Sequence, residues 1–216
     1  MTALSARWPA YLDQQHRYPS GLFGWLIGER MRRQHAPETQ WSVDLLHLRP
    51  TDRVLEIGFG VGRGLALTLQ QAIQGRVTGI DISATMIQAA SRRNRAALLD
   101  GQLALVCGDI AHLPFGNQQF DKIFSVHTFY FWPEPGAICQ QLLKLLAQGG
   151  RLVSTFATAQ SLATGERVYW PLHQRAEALV REVQQQATIA AHLANGPDSR
   201  QYNNVAIVID KSGLSC

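Results

Sequence analysis

Residues 54–64 read VLEIGFGVGRG, a short apolar run that passes into glycines at alternate positions. The run predicts a buried strand, and the apolar spacing after it predicts a helix, so the glycines form the turn between them. Glycine permits positive φ angles and lets a ligand approach the backbone, while the free N–H groups of the following helix face the same point. The turn therefore predicts a site for a small anionic or nucleotide-like ligand rather than a tight turn without one.

The glycine spacing narrows the choice of ligand. A phosphate-binding P-loop needs G-x-x-x-x-G-K-[ST], and no lysine followed by serine or threonine comes after these glycines. A dinucleotide fingerprint needs G-x-G-x-x-G, but its last place falls on Arg63 or Leu65. Glu56 places a carboxylate where a pyrophosphate would be repelled and an ammonium group attracted. Triphosphates and nicotinamide dinucleotides are disfavoured, and a cationic or zwitterionic head is favoured.

Two further carboxylates point to a nucleoside. Asp81 ends the next apolar run, at the place where doubly wound folds bind the hydroxyls of a ribose. The alternative is that Asp81 caps the following helix, for which Ser83 is equally well placed. After the third run, Asp109 is placed to accept a hydrogen bond from an exocyclic amine, with Ile110 against a purine face.

Short apolar runs alternate with amphipathic stretches from Asp52 onward, which is typical of a parallel sheet covered by helices. Strands are predicted at Arg53–Ile57, Arg76–Asp81, Leu103–Cys107, Asp121–Val126 and Arg151–Phe156, with a terminal hairpin of Ala187–Leu193 and Asn204–Asp210. Helices are predicted at Trp41–Leu48, Leu65–Ala72, Ala84–Leu99 with Ser83 as N-cap, Gly136–Leu146 ended by Gly149 and Gly150, and Leu172–Val183. We expect an α/β, Rossmann-like doubly wound sheet of five parallel strands plus an antiparallel hairpin, with helices on both faces.

These motifs together resemble the class I S-adenosylmethionine-dependent methyltransferases, in particular the small-molecule branch related to the quinone-biosynthesis methyltransferases. The resemblance covers roughly Asp52–Phe156. It rests on LEIGFGVG at 55–62, GID at 79–81, GD at 108–109 with LPF at 113–115, FD at 120–121 and LAQGGRL at 146–152. The family's Lys-Pro-Gly-Gly is Ala-Gln-Gly-Gly here, which loses the proline and keeps the turn glycines.

The resemblance implies how S-adenosylmethionine is bound and that S-adenosylhomocysteine is the product. It assigns Glu56 and the loop from Gly58 to Gly62 to the methionine moiety, and Asp81 to the ribose. Ile82 and Met86 are assigned to the adenine face, and Asp109 with Ile110 to the adenine edge. The full predicted cofactor set is Glu56, Gly58, Phe59, Gly60, Gly62, Asp81, Ile82, Met86, Gly108, Asp109, Ile110 and Ser125.

Residues 125–132, SVHTFYFW, follow the fourth strand, where substrates of open α/β sheets bind. His127 is the candidate for removing a proton from a hydroxyl acceptor, and Tyr130 is a second candidate; the alternative is a structural histidine. The Asn/Asp-Pro-Pro-Tyr/Phe motif of base-amine methyltransferases is missing from this stretch. It also holds no carboxylate, so a metal-free reaction on a small organic acceptor is predicted.

Composition and charge limit the number of domains, the compartment and the class of function that the chain can have. The 216 residues, 46% hydrophobic and 17% charged, predict one globular domain, with a helical cap at 1–50 on a core at 51–216. Three cysteines far apart and no long apolar run favour a cytoplasmic protein that does not enter the membrane, as a monomer or homodimer. The net charge of +4 and arginine clusters at 30–33 and 92–95 keep an RNA or protein methyltransferase open as the alternative, although nucleic acid is disfavoured. A non-catalytic nucleoside-binding module is the other alternative.

Overall fold

The computed structural model describes residues 20–159, 170–196 and 202–212 of the chain. Its strands are β1 Arg53–Ile57, β2 Arg76–Asp81, β3 Leu103–Cys107, β4 Phe120–Val126, β5 Leu146–Ala159, β6 Ile189–Asn195 and β7 Tyr202–Lys211. They form one sheet in the order β3-β2-β1-β4-β5-β7-β6, in which β1 to β5 run parallel and β7 pairs antiparallel with both β5 and β6. The predicted doubly wound sheet with a terminal hairpin is confirmed.

The helices cover the sheet and begin before its first strand. They are α1 Gly21–Gln34, α2 Ala36–Leu45, α3 Arg63–Gln71, α4 Ala84–Arg93, α5 Arg95–Leu99, α6 Pro135–Leu145 and α7 Trp170–Val183. Ser83 caps α4 as predicted, since its hydroxyl accepts the amide N–H of Met86 at 3.3 Å. The helix predicted at 41–48 lies at 36–45, and residues 1–19 of the predicted cap fall outside the described residues, so the division into cap and core stays a prediction.

Two further helix predictions differ from the structure, one in its continuity and one in the residues that end it. The helix predicted at 84–99 is broken at Asn94, whose side-chain amide donates to the carbonyls of Ala90 at 3.1 Å and Gly62 at 3.3 Å. Gly149 and Gly150 do not end α6, which stops at Leu145; they lie within β5 instead. The pairing of β4 with β5 shifts there, and Gly149 takes a φ of +75°. The glycines therefore shape an irregularity in the strand rather than a helix end.

Both faces of the sheet are buried, because neighbouring side chains of each strand point to opposite sides. On one side Leu55 and Ile57 of β1 join a core with α6 and α7, and on the other Val54 packs with Val43 of α2. Parallel β1, β2 and β4 thus bring their carboxyl ends to one edge, near the turns that carry the predicted site residues.

Candidate functional site

The glycine loop after β1 contains residues whose backbone lies in the left-handed region. Gly58 and Gly60 take φ values of +69° and +53°, which side chains rarely adopt. A Cβ on Gly58 would lie 2.4 Å from the side chain of Thr128, whereas a Cβ on Gly60 would meet nothing within 4 Å. Gly58 is therefore fixed by close packing as well as by its backbone angles, while Gly60 borders open space.

Asp81 ties the end of β2 to this loop. One carboxylate oxygen accepts the N–H of Gly60 at 2.8 Å, and the other accepts the N–H of Ser83 at 2.9 Å. Burial raises the pKa of Asp81, and these backbone hydrogen bonds oppose that effect. Each oxygen keeps a second lone pair, so the carboxylate still has the capacity to accept hydrogen bonds from a ligand's hydroxyls.

Glu56 is a buried carboxylate beneath the loop, only 3% exposed. Its Oε2 has no hydrogen-bond partner in the part of the chain that the structure describes. Burial, and then the negative charge of Asp81, raise the pKa of Glu56 well above its ordinary value of 4.5. Gly64 makes room for it, since a Cβ at that position would lie 2.2 Å from Oε1. The arrangement is unfavourable for Glu56 alone and becomes favourable when a cation approaches.

A cavity of about 270 Å³ opens at this edge of the sheet. Ten of the predicted site residues line it: Glu56, Gly58, Phe59, Gly60, Asp81, Ile82, Met86, Asp109, Ile110 and His127. Asp109 is exposed, and its Oδ1 accepts the N–H of Ala111 at 3.0 Å, capping the short 3₁₀ helix Ile110–His112. The cavity thus gathers the carboxylates and apolar surfaces that the sequence placed after three separate strands.

Four predicted residues lie outside the cavity lining, each with a contact that accounts for its place. Gly62 begins α3, where a Cβ would meet Ala90 at 2.9 Å, and a Cβ on Gly108 would meet Ile80 at the same distance. The hydroxyl of Ser125 is buried and hydrogen-bonded to that of Ser154 at 2.9 Å. The fourth residue, Tyr130, bonds the backbone of β5. Direct cofactor binding by the first three stays a prediction without a contact to support it.

His127 has an unusual backbone and a fixed imidazole. Its φ of +58° is uncommon for a residue with a side chain. The Tyr130 hydroxyl donates to the carbonyl of Ala157 at 2.9 Å and accepts its N–H at 2.6 Å. Because that hydroxyl proton is already used, the 3.1 Å contact with His127 Nδ1 assigns the proton of this contact to the imidazole. Nε2 is then left as the acceptor nitrogen, facing inward.

Burial first, and then the neighbouring His35, lower the pKa of His127 to about 3. The ring is neutral at physiological pH and takes up a proton poorly, which limits it as a general base. Tyr130 positions this ring. A catalytic role for either residue stays a prediction.

The sequence did not assign the residues of α1 and α2 that form the far wall of the cavity. Gly28, Met31, Arg32, His35 and Thr39 all line it. A Cβ on Gly28 would lie 2.9 Å from Val61 and 3.1 Å from Met86, so the helix approaches the loop as closely as glycine allows. The apolar spacing of α1 carried no sign of this contact, since it depends on how α1 packs on α4.

Comparison with known proteins identifies the class. Residues 55–154 match the protein family described as Methyltransferase domain. This match over a little under half of the chain agrees with the class I S-adenosylmethionine-dependent methyltransferase domain that the resemblance implied, and S-adenosylmethionine is the cofactor of that class. The predictions of enzyme class and cofactor are confirmed.

The relatives include two curated enzymes and a solved structure. The chain is 27% identical to 24-methylenesterol C-methyltransferase 2 of Oryza sativa subsp. japonica, over 68% of this chain and 43% of the relative. It is 32% identical to 27-O-demethylrifamycin SV methyltransferase of Amycolatopsis mediterranei, over 50% of this chain and 39% of the relative. The plantazolicin methyltransferase BpumL in complex with SAH has the same fold, at a TM-score of 0.68 and 16% identity, over 91% of this chain and 93% of that one. The chain thus spans less than half the length of both curated relatives.

None of the described helices is both long and apolar enough to span a membrane.

Proposed function

We propose that the chain transfers the methyl group of S-adenosylmethionine to a small, partly apolar organic acceptor held in the 270 Å³ cavity. The observation that carries this proposal is the composition of that cavity. One wall holds the glycine loop with Glu56 and Asp81, and the other holds Phe131, Trp132 and α1. A donor and a small acceptor would therefore share one cavity, and transfer between them requires that they be held side by side.

The polar groups of the first wall suit a zwitterionic amino-acid head. The unpaired Oε2 of Glu56 favours an ammonium group. Arg63 also lines the cavity, and its Nε is buried without a hydrogen-bond partner among the described residues, which favours a carboxylate. With Asp81 toward ribose hydroxyls and Met86 against the adenine, these residues would hold the methionine and adenosine parts of the cofactor.

When bound, S-adenosylmethionine supplies a methyl group on a positively charged sulfur. The residues of the cavity then have to align the acceptor with that methyl group and exclude water, because positive charge is dispersed as the transfer proceeds. Phe131 is exposed and lines the same space, and an aromatic face stabilises a nearby cation by about 0.5–1 kcal/mol. Alignment and desolvation therefore carry the reaction in this proposal, and proton removal by His127 is not required for it.

The arginine clusters give little support to a nucleic-acid acceptor. Arg32 pairs with Glu29 at 3.0 Å, and Arg93 pairs with the same carboxylate at 2.6 Å. Arg93 also donates to the carbonyl of Val61 at 2.5 Å. Arg93 thus links α4 to α1 and to the loop, and Arg32 is paired within α1, so neither contributes to a free basic surface.

Calorimetric titration with S-adenosylmethionine and S-adenosylhomocysteine, with NADH as the control ligand, tests the proposal. We expect micromolar binding of the first two and none of NADH. Binding of NADH alone, or of no ligand, would overturn it. A protein that binds both adenosyl ligands but releases no S-adenosylhomocysteine with a panel of small hydroxyl, amine, thiol and carbon acceptors would instead be a binding module.

A further inference from the structure

Three side chains of types that can bind metals, from two distant parts of the sequence, meet beside the cavity. His35 precedes α2, Glu38 lies in its first turn, and His127 follows β4. The rings of His35 and His127 have centroids 4.0 Å apart, and His35 Nδ1 lies 3.9 Å from Glu38 Oε1. One ligand atom from each of the three residues lies within 4.8 Å of the other two.

The hydrogen bonding of this cluster is incomplete within the part of the chain that the structure describes. His35 Nδ1, Glu38 Oε2 and His127 Nε2 are all buried, and none has a partner among the described residues. Glu38 is 0% exposed, so water does not reach its carboxylate from the surface. Buried polar groups are nearly always satisfied, so three buried polar atoms without partners, on side chains whose ligand atoms lie within 4.8 Å of one another, indicate a shared partner. A cation supplies one, since a neutral imidazole and a carboxylate both offer it lone pairs.

Outer hydrogen bonds hold two of the three side chains, those of His127 and Glu38. His127 Nδ1 is held by the Tyr130 hydroxyl, which the backbone of Ala157 anchors in turn, so Nε2 is directed inward. Glu38 Oε1 accepts from the side-chain amide of Asn204 at 3.4 Å, which leaves Oε2 for another partner. Hydrogen bonds of this kind to the far side of each ligand are typical of metal sites, where they set the tautomer and orientation. The left-handed backbone of His127 is a further constraint at this point.

We propose that His35, Glu38 and His127 bind a divalent transition-metal ion. Two imidazoles and one carboxylate form a donor set that suits Zn²⁺ and Fe²⁺ and disfavours Mg²⁺ and Ca²⁺, which prefer oxygen ligands. Ligand atoms around a tetrahedral zinc lie about 3.4 Å apart, so the cluster closes around an ion by small side-chain rotations. Three protein ligands leave at least one coordination position open, and His35 and His127 both line the cavity.

The residues of this site are distinct from those proposed to bind the cofactor, because the site uses neither Glu56 nor Asp81 nor the glycine loop. It differs from the metal-free prediction drawn from the sequence, which considered only the stretch between Ser125 and Trp132. The carboxylate comes instead from α2. An open coordination position beside the cavity would favour acceptors that offer the ion an oxygen or nitrogen atom.

The first experiment is calorimetric titration of the chelator-treated full chain with Zn²⁺, with Co²⁺ absorption as a second readout. We expect one bound ion and a Co²⁺ spectrum of low coordination number without a thiolate charge-transfer band. His35→Ala, Glu38→Gln and His127→Asn should each weaken Zn²⁺ binding by more than about 100-fold, since loss of an outer partner alone costs about 10–100-fold. Tyr130→Phe, which removes such a partner, should fall within that lower range.

Controls separate the site from other zinc-binding groups. His192→Ala removes an exposed imidazole of β6, and Cys107→Ser removes an exposed thiol; both should bind Zn²⁺ like the wild type. Asparagine tolerates left-handed backbone, so His127→Asn is the variant expected to keep its fold, which circular dichroism and S-adenosylhomocysteine binding verify. No stoichiometric Zn²⁺ binding by the wild type, or equal binding by folded His127→Asn and Glu38→Gln, would overturn the proposal. S-adenosylhomocysteine binding without Zn²⁺ binding would overturn it while leaving the proposed function intact.

Discussion

The two walls of the cavity are built in different ways. The wall at the end of β1 comes from one continuous stretch, residues 54–64, joined by Asp81 from the neighbouring strand. The opposite wall combines α1 and α2 with the turn after β4, which lie far apart in sequence. The shape of the first wall is determined by the backbone of neighbouring residues in one stretch. The second wall forms only when α1 and α2 pack against the rest of the domain. We therefore expect substitutions in the first wall to act on the cofactor and the loop, and substitutions in the second to act on acceptor or metal.

The largest effect is expected for Asp81→Ala. The substitution removes the acceptor for the Gly60 and Ser83 N–H groups together with the predicted ribose contact. Loss of a charge-assisted hydrogen bond costs about 1.5–3 kcal/mol, so affinity for S-adenosylhomocysteine should fall about 100-fold in calorimetric titration. Asp81→Asn keeps a side-chain oxygen and should lose less. Wild-type affinity in a folded Asp81→Ala protein would contradict the role assigned to this carboxylate.

Gly58→Ala tests how far the backbone and packing of the glycine loop stabilise the first wall of the cavity. The new Cβ would carry a φ of +69° and lie 2.4 Å from the Thr128 side chain, and we expect a loss of about 2 kcal/mol in the free energy of unfolding. Gly101→Ala is the matched control, because its φ of +70° is similar and nothing lies within 4 Å of its Cβ. That variant should lose only about 1 kcal/mol. Equal losses in urea unfolding would show that the contact between loop and β4 turn contributes little.

Glu56→Gln should raise the free energy of unfolding of the ligand-free protein and weaken the binding of S-adenosylmethionine. The pKa of Glu56 is raised by burial and by Asp81, so ionisation in the folded protein is unfavourable. At pH values between the ordinary pKa of 4.5 and the raised pKa, Glu56 is protonated in the folded protein and ionised in the unfolded chain. The unfolded chain therefore binds fewer protons than the folded protein, and the free energy of unfolding falls as pH rises through this range. A tenfold change in an ionisation equilibrium corresponds to about 1.4 kcal/mol. The ligand-free variant should therefore be more stable than the wild type by about 1 kcal/mol or more once the pH exceeds the raised pKa.

Urea unfolding from pH 4.5 to 8 measures this effect, and the gain should vanish toward pH 4.5. S-adenosylmethionine should bind the same variant more weakly, because the carboxylate that favours its ammonium group is gone. Glu134→Gln, at an exposed carboxyl group, serves as the control and should change neither quantity. A Glu56→Gln protein that is less stable than the wild type at neutral pH would show that this carboxylate is satisfied in the ligand-free state.

Much of the first wall was predictable because its signals are local. The bounds of β1, β2 and β3 agree with the apolar runs that predicted them, and the Ser83 cap follows from its place before a helical pattern. The break at Asn94 was not predictable, since the amide that interrupts the helix bonds a carbonyl of the distant glycine loop. The second wall shows the same limit, because the pattern of α2 gave no sign that His35 and Glu38 would meet His127.

The sequence by itself determined the doubly wound sheet and the glycine turn, because periodicity and backbone freedom act within short stretches. The class of cofactor followed from the family resemblance that these motifs carry. Tertiary structure alone decided which side chains face the cavity. It directed Ser125 and Tyr130 to partners in β5, brought α1 within contact of Met86, and set the carboxylate of Glu38 beside two imidazoles. Such outcomes depend on contacts between segments whose separation along the chain carries no signal, so only packing of the whole domain determines them.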